Sequence, residues 1–244
     1  MHQNRAKRDD ANPDLCKKLP PERSRYKYFS FSFHFCHPCK DLLPLHMMLD
    51  FRLCIPDYVI TISLNSDVIG CGGGKFYTGF TEMPIHVPNF VSLKEKYKKT
   101  PEMVINYIEQ LQVQRTEKAY LHFARIDKLA SFDHVEGLLF LATPDILSGL
   151  TTWAFYDTNA FDTVATPFGS GCSSVVTLTV LENQKDGKRC FLGFFDPSVR
   201  PHFEANLLSF TIPMSRFKEM YHTMRESCLF DTHAWGKIKE RINE

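Results

Sequence analysis

Hydrophobic positions along the chain follow two periods, which predict strands alternating unevenly with helices. Apolar alternation or β-branched runs predict strands, at residues 28–35, 57–64, 119–126, 135–142, 189–195 and 207–212. Helices are predicted where apolar residues recur at spacings of three and four, or where a Thr-Pro-acid sequence typical of a helix N-terminus occurs. These helices cover residues 100–111, 143–155, 214–227 and 232–242. The mixture predicts a mixed α/β fold with a central β-sheet flanked by helices, in an order that the sequence does not give.

The chain divides into three segments by composition. Residues 1–28 are polar and mixed in charge, and we interpret them as a disordered or foreign N-terminal segment. Residues 29–55 form an atypical segment rich in aromatics and cysteines, and residues 56–244 are predicted to form a single globular domain. The lone C-x-x-C at Cys36–Cys39 has no second pair at zinc-site spacing, so we interpret it as fortuitous.

Composition and charge exclude several classes of function. The 29 basic and 28 acidic residues leave a net charge of +1, which argues against a nucleic-acid partner. No apolar run reaches the roughly 18–20 residues that a membrane span needs, and no apolar signal core follows the basic N-terminus. We therefore expect a soluble, cytoplasmic protein. Its eight cysteines are too sparse for a disulfide scaffold and are expected to be reduced.

Two short stretches place a cysteine among glycines and form the candidate site. "IGCGGGKFYTGF" (69–80) contains Cys71, and "PFGSGCSS" (167–174) contains Cys172. Successive glycine amides can form a nest that suits an anion, and the same field would lower the pKa of a cysteine. We predict thiol or metal chemistry at the two cysteines, and cofactor binding at five further residues: Gly72, Gly73, Gly169, Gly171 and Arg200.

Neither stretch matches a known phosphate-binding pattern. The first fails both the P-loop and the dinucleotide fingerprint, because Ile69 and Lys75 stand where glycines are required. The second resembles a nucleophile elbow only loosely. Residues 173–181 are rich in β-branched side chains and could form a strand, in which case Cys172 would not open a helix. Tight turns around small buried thiols are the alternative for both stretches, with Arg200 paired to Asp196 at a turn.

Five motifs in a fixed order resemble one family: "C-x-G-G-x-x-Y-x-G-F" (71–80), "LFLATPDxLSGL" (139–150), "FGSGCSS" (168–174), "LGFFDPSVRP" (192–201) and "LSFTIPMSRFKEM" (208–220). They resemble the uncharacterised prokaryotic family called domain of unknown function 169, over roughly residues 64–244. The resemblance implies that both glycine–cysteine stretches and the turn with Asp196, Pro197 and Arg200 belong to a shared pattern. It implies no activity, and the first 55 or so residues do not match, which would leave the sheet without one edge.

Three functions follow from these features. The first is a ligand-, metal- or cofactor-binding protein, with redox chemistry open, in which Cys71 and Cys172 share a pocket and Arg200 supplies a counter-charge. The cofactor stays unknown; a small molecule or a metal is open as ligand, and a second subunit in a homodimer could supply further ligands. The second is a thiol enzyme with Cys172 as nucleophile and His233 or His202 as base. The third is a structural or interaction protein without catalysis.

Overall fold

A single seven-stranded sheet organises the part of the chain that the computed structural model describes, residues 28–36, 61–126, 129, 131–167 and 171–243. Its strands are β1 Tyr28–Cys36, β2 Thr61–Leu64, β3 Tyr120–Arg125, β4 Gly137–Ala142, β5 Val164–Ala165, β6 Cys190–Gly193 and β7 Leu208–Pro213. Their order is β2-β3-β1-β4-β7-β6-β5, and every pair is antiparallel except β5 with β6. The predicted mixed α/β class is confirmed.

Strand β1 occupies an interior position in the sheet. It pairs with β3 on one side and β4 on the other, with Phe33 in register with both Phe123 and Gly137. The period-two pattern therefore predicted this strand correctly. The segment that contains it supplies a central strand, so the expectation that an edge of the sheet would be missing finds no support here. The division at residues 28 and 55 stays a prediction, and Cys39 lies outside the described residues.

Seven helices surround the sheet in the described part of the chain: α1 Gly72–Tyr77, α2 Val87–Asn89, α3 Pro101–Gln110, α4 Pro144–Phe155, α5 Leu178–Gln184, α6 Met214–Thr223 and α7 His233–Asn243. Helix α3 begins as predicted, because the Thr100 side chain accepts a hydrogen bond from the Met103 N–H at 3.3 Å. Helix α4 likewise begins with proline at its first position. None of the described helices is long and apolar enough to cross a membrane.

The two faces of the sheet carry separate cores. Along β4, Leu138, Phe140 and Ala142 belong to a cluster with residues of α4, α6 and α7, whereas Leu139 and Leu141 belong to a cluster with Val175 and Val176. Side chains alternate between faces along a strand, so the clusters lie on opposite sides. We call the first side the α4 face. The second, which carries the segment that follows Cys172, is called the cysteine face.

Methionines illustrate how far the helical pattern predicts burial. Met214, Met220 and Met224 are buried in the α4-face core, as expected for gap-filling side chains. Met103 is exposed. It lies on α3, where Val104 and Ile108 form the buried stripe, and Met103 falls beside that stripe rather than in it.

Candidate functional site

The first glycine–cysteine stretch is helical rather than a loop. Residues 72–77 form α1, and Cys71 is its N-cap in extended conformation. The Gly74 N–H donates a hydrogen bond to Cys71 Sγ, with nitrogen and sulfur 3.0 Å apart. A side-chain acceptor at this position satisfies one of the backbone donors that the first turn of a helix leaves free. Cys71 itself is exposed, so its sulfur is both oriented by the backbone and accessible.

Gly74 explains why this short helix contains glycines at all. A Cβ at Gly74 would lie 2.9 Å from Cys71 Sγ and 3.0 Å from the Ile69 Cγ2 methyl carbon, closer than real side chains pack. The same point lies 3.9 Å from Cys172 Sγ. Glycine here lets the backbone approach both sulfurs, at a cost of about 1 kcal/mol in helix propensity. The residue was not among those predicted for the site.

The second stretch is helical as well, so the strand alternative is wrong. Cys172 lies in a helical turn that continues as a π-helix over Ser173–Thr177 and then as α5. The β-branched run is accommodated because Val175 and Val176 are buried against Leu121 and Phe194 on the cysteine face. Burial of this kind overrides the weak intrinsic preference of such residues for strands. Short π-helical insertions are frequent at functional sites.

The structure brings the two cysteines together. Both sulfurs lie within 3.9 Å of one point beside Gly74, so they are at most about 7 Å apart, the sum of 2.9 and 3.9 Å. The Thr177 hydroxyl also donates to the Tyr77 carbonyl at 2.6 Å, which ties the end of α1 to the π-helix. Neither cysteine is in a disulfide.

The electrostatics of Cys172 are opposite to those predicted. Burial first, and then the negative charges of Cys71 and Asp196, raise the pKa of its thiol to about 11, against a lowering by a backbone hydrogen bond. The expected lowering of the pKa by a glycine-amide field is therefore wrong for this residue. Cys172 is a neutral thiol at physiological pH, and its surroundings are negative rather than suited to an anion.

A turn that follows β6 closes the site on the side of Cys172. Gly171 packs against this turn, because a Cβ there would meet Val199 Cγ2 at 2.9 Å and the Phe194 ring at 3.1 Å. Phe194 itself has a left-handed backbone (φ of 67°) and is buried. Non-glycine residues adopt that conformation at a cost of about 1–3 kcal/mol, and such residues cluster at functional sites. Gly171 thus serves close packing beside Cys172.

The donors of Arg200 are engaged with the backbone, and its role as a counter-charge stays a prediction. Its guanidinium donates to the carbonyl oxygens of Glu204, Ala205 and Leu207, so it fixes the segment that leads into β7. The alternative pairing with the Asp196 side chain is wrong. That carboxylate accepts instead from the backbone N–H and hydroxyl of Ser198. Arginine carries a rigid fork of donors that suits several carbonyls at once.

The remaining residues predicted for the site, and the two candidate histidines, lie in different parts of the fold. Gly72 and Gly73 lie in the first turn of α1, exposed and half-buried respectively, whereas Gly169 lies outside the described residues. His202 is exposed in the 3₁₀ turn Arg200–His202. His233 is exposed at the start of α7, whose Trp235 is buried in the α4-face core. The sheet separates His233 from Cys172, so it is not placed to act as a base for this thiol.

Two clefts in the described part of the chain are lined by residues other than Cys71 and Cys172. One of them, a cleft of about 340 Å³, lies at the opposite ends of α1 and the π-helix, beside Tyr77 and Thr177. Over the described ranges, no three His, Cys, Asp or Glu side chains are grouped so as to hold a metal ion. The two thiols of Cys71 and Cys172 are thus the chemical groups that the structure brings together at this site.

Together, the fold and the site define a class of protein: a mixed α/β domain with two neighbouring cysteines on one side of its sheet. The chain belongs to the family called domain of unknown function 169, described as "Uncharacterised ArCR", which it matches over residues 48–223. The match begins after β1, so that strand lies outside the part of the sequence that defines the family. No curated protein and no solved structure matches the chain.

Proposed function

We propose that the protein is a dithiol redox protein, in which Cys71 and Cys172 alternate between two thiols and one disulfide. The observation that carries this proposal is that both sulfurs lie within 3.9 Å of a single point beside Gly74. A disulfide requires the two sulfurs to approach to about 2.05 Å, which side-chain rotation would have to supply. The proposal belongs to the binding and redox class expected from the sequence, and the reducing cytoplasm is the compartment in which such a pair would work.

The two cysteines differ in a way that suits two successive roles. Cys71 is exposed, with its sulfur held by the Gly74 N–H, so it can meet an incoming disulfide first. Cys172 is less exposed and remains a thiol, because burial raises its pKa to about 11. A sulfur that is protonated until its partner has reacted is a poor first nucleophile, since thiolate is the reacting form. It is suited to the second step.

The chemistry is a balanced exchange with a disulfide substrate, R–S–S–R. The Cys71 thiolate attacks one substrate sulfur, the substrate S–S bond breaks, and one RS⁻ leaves. Cys172 then loses its proton and attacks Cys71 Sγ, which releases the second RS⁻ and forms the Cys71–Cys172 bond. Two electrons pass from the dithiol to the substrate, and the two protons of the dithiol end on the two released thiolates.

Mass mapping of the oxidised full-length protein tests this proposal. Reduced protein is treated with one equivalent of 2,2′-dithiodipyridine, alkylated and digested, and its disulfides are identified by mass spectrometry. We expect a Cys71–Cys172 linkage as the main product. Cys172→Ser should stop at a mixed disulfide on Cys71, and Cys71→Ser should leave Cys172 free for alkylation. Absence of the linkage in the wild-type protein would overturn the proposal.

Cys228→Ser is the matched control, because Cys228 is a half-buried thiol on the α4 face, beside the Gly149 carbonyl. It should give the wild-type product. Elemental analysis of protein purified without oxygen covers the metal-binding alternative: one metal per chain that is lost in both serine variants would overturn the redox proposal. Serine variants that change only the melting temperature, with no linkage in the wild type, would instead favour a structural role.

A further inference from the structure

The cleft of about 340 Å³ lies between the end of α1, α5 and residues 113–118, a segment without regular secondary structure. One side of it is apolar and consists of side chains from the π-helix and α5, those of Val176, Val180 and Leu181. Sites for small ligands have volumes of roughly 300–1,000 Å³ and combine an apolar lining with a few placed polar groups. The cleft therefore has the size of a site for a small molecule.

Backbone contacts hold the segment 113–118 against the end of α1. The Thr116 N–H donates to the Gly79 carbonyl at 3.0 Å, and the Lys118 N–H donates to the Thr116 hydroxyl at 3.1 Å. Gly79 has a left-handed backbone (φ of 81°), and a Cβ there would collide with the Gln114 carbonyl oxygen. Glycine accommodates both the conformation and the close approach. The last glycine of the first glycine–cysteine stretch thus shapes this cleft rather than the thiol pair.

Glu136 contributes a carboxylate of fixed orientation to the cleft. Its Oε2 accepts a hydrogen bond from Asn183 Nδ2 at 3.0 Å, and its backbone carbonyl accepts one from the Met214 N–H at 3.0 Å. Asn183 is held in turn, because its Oδ1 accepts from the Ser215 N–H at 2.8 Å. Glu136 Oε1 takes part in none of these bonds. A carboxylate held in this way is preorganised to accept from a ligand.

The charges that line the cleft balance each other. Two cationic side chains, Arg115 and Lys118, face two anionic ones, Glu117 and Glu136. Arg115 pairs with Glu82, with Nε and Oε1 3.4 Å apart. Within the described part of the chain, neither Lys118 nor Glu136 is in an ion pair. A multiply charged anion would meet the carboxylates, and a neutral apolar molecule would desolvate both charges without pairing them. The lining therefore favours a ligand with one charge of each sign.

We propose that this cleft binds a small zwitterion with an apolar body, either a free apolar amino acid or a dipeptide of such residues. The ligand's ammonium group donates to the Glu136 carboxylate, and its carboxylate pairs with the Lys118 ammonium group. Its apolar side chain packs against Val176, Val180 and Leu181. The inference goes beyond the proposed redox function and is independent of it, because the residues that line the cleft include neither cysteine of the thiol pair.

Isothermal titration calorimetry of the full chain tests the proposal with L-leucine, L-leucyl-L-leucine and two blocked compounds. N-acetyl-L-leucine lacks the ammonium group, and L-leucinamide lacks the carboxylate. We expect at least one zwitterion to bind with a Kd below about 1 mM, and both blocked compounds to bind at least about tenfold more weakly. The tighter of the two zwitterions identifies the source of the ligand. No binding of either zwitterion, or equal binding of a blocked compound, would overturn the proposal.

Two variants assign each end of the ligand to its partner. Glu136→Gln keeps an acceptor for Asn183 but loses the charge, so it should weaken zwitterion binding at least about tenfold and leave N-acetyl-L-leucine binding unchanged. Lys118→Gln should weaken zwitterion binding and leave L-leucinamide binding unchanged.

Glu109→Gln is the matched control, because it removes an exposed carboxylate of α3 outside the cleft and should bind as the wild type does. Unchanged zwitterion binding in either cleft variant would overturn the proposal. If Glu136→Gln does not fold, the blocked compounds and Lys118→Gln still decide the question: equal binding of N-acetyl-L-leucine and the zwitterion by the wild type would exclude an ammonium site.

Discussion

The two glycine–cysteine stretches are alike in composition, yet the fold gives their cysteines opposite surroundings. Cys71 caps a short helix and is exposed, with a backbone N–H directed at its sulfur. Cys172 begins a π-helical segment packed on the sheet, and burial dominates its titration. A motif of one cysteine among glycines therefore does not determine reactivity. The elements that pack against the thiol determine it.

The source of this difference lies in what covers each cysteine. A Cβ at Gly72, in the first turn of α1, would meet Pro84 at 2.9 Å, and Cys71 before it is exposed. Cys172 precedes Val175, which is buried on the cysteine face, and the turn that follows β6 packs against Gly171 just before it. The pair thus combines one exposed and one protected sulfur, an asymmetry that suits the proposed two-step exchange.

The largest expected effect is a difference in alkylation rate between the two cysteines. Cys71 is exposed, whereas Cys172, with a pKa of about 11, is thiolate in about one molecule in a thousand at pH 8. We expect iodoacetamide to label Cys71 at least about 100-fold faster than Cys172 in reduced protein. Labelling of Cys172 should rise about tenfold per pH unit up to its pKa.

Time courses followed by peptide mass spectrometry give both rates in one sample. Cys190, whose pKa burial raises to about 12, serves as the internal reference for a protected thiol on the same chain. Faster labelling of Cys172 than of Cys71 would contradict the asymmetry, and would favour the thiol enzyme with Cys172 as nucleophile.

The sequence predicted the elements whose signals are local. Thr100 with Pro101, and Thr143 with Pro144, marked two helix starts correctly, because such signals lie in adjacent residues. Thr100 caps α3 through its side chain, whereas α4 begins with proline and has no side-chain cap. The period of two in residues 28–35 likewise predicted β1. Its position between β3 and β4 could not be predicted, since strand order depends on pairing between distant segments.

The sequence predicted the two cysteines of the candidate site but did not predict the structure of the residues around them. By propensity alone, residues 173–181 could form a strand. They are helical in the fold, where Val175 and Val176 are buried against the sheet. The charge of Arg200 suggested a ligand, but its donors meet carbonyls a few residues ahead. Gly74 gave no signal of its own, because its role is visible only once both sulfurs are placed beside it.

Alanine at two adjacent glycines sharpens the comparison further. A Cβ at Gly73 would meet its nearest neighbour, the Tyr77 ring, at 3.8 Å, whereas one at Gly74 would crowd Cys71 Sγ at 2.9 Å. Gly73→Ala should therefore raise the free energy of unfolding by up to about 1 kcal/mol and leave disulfide formation unchanged. Gly74→Ala should gain no stability and slow formation of the Cys71–Cys172 bond about tenfold, since the reacting sulfurs are displaced.

Urea denaturation and the rate of disulfide formation measure the two effects separately. Gly73→Ala is the control for helix propensity, because it adds the same methyl group one residue away. Equal behaviour of both variants would show that the close approach at Gly74 does not position the sulfurs.

The smallest effect concerns the hydrogen bond that joins the two cysteine-bearing segments. Thr177→Val removes the bond from its hydroxyl to the Tyr77 carbonyl and should lower the free energy of unfolding by about 1 kcal/mol. If that bond also holds Cys172 against Cys71, the equilibrium constant for the intramolecular disulfide should fall by about fivefold, the equivalent of the same energy. Thr179→Val removes a buried bond to Thr211 of β7 instead. The Thr179→Val variant should lose similar stability without changing the disulfide equilibrium in a dithiothreitol buffer. An equal shift of that equilibrium in both variants would show that the Thr177 bond supports the fold alone.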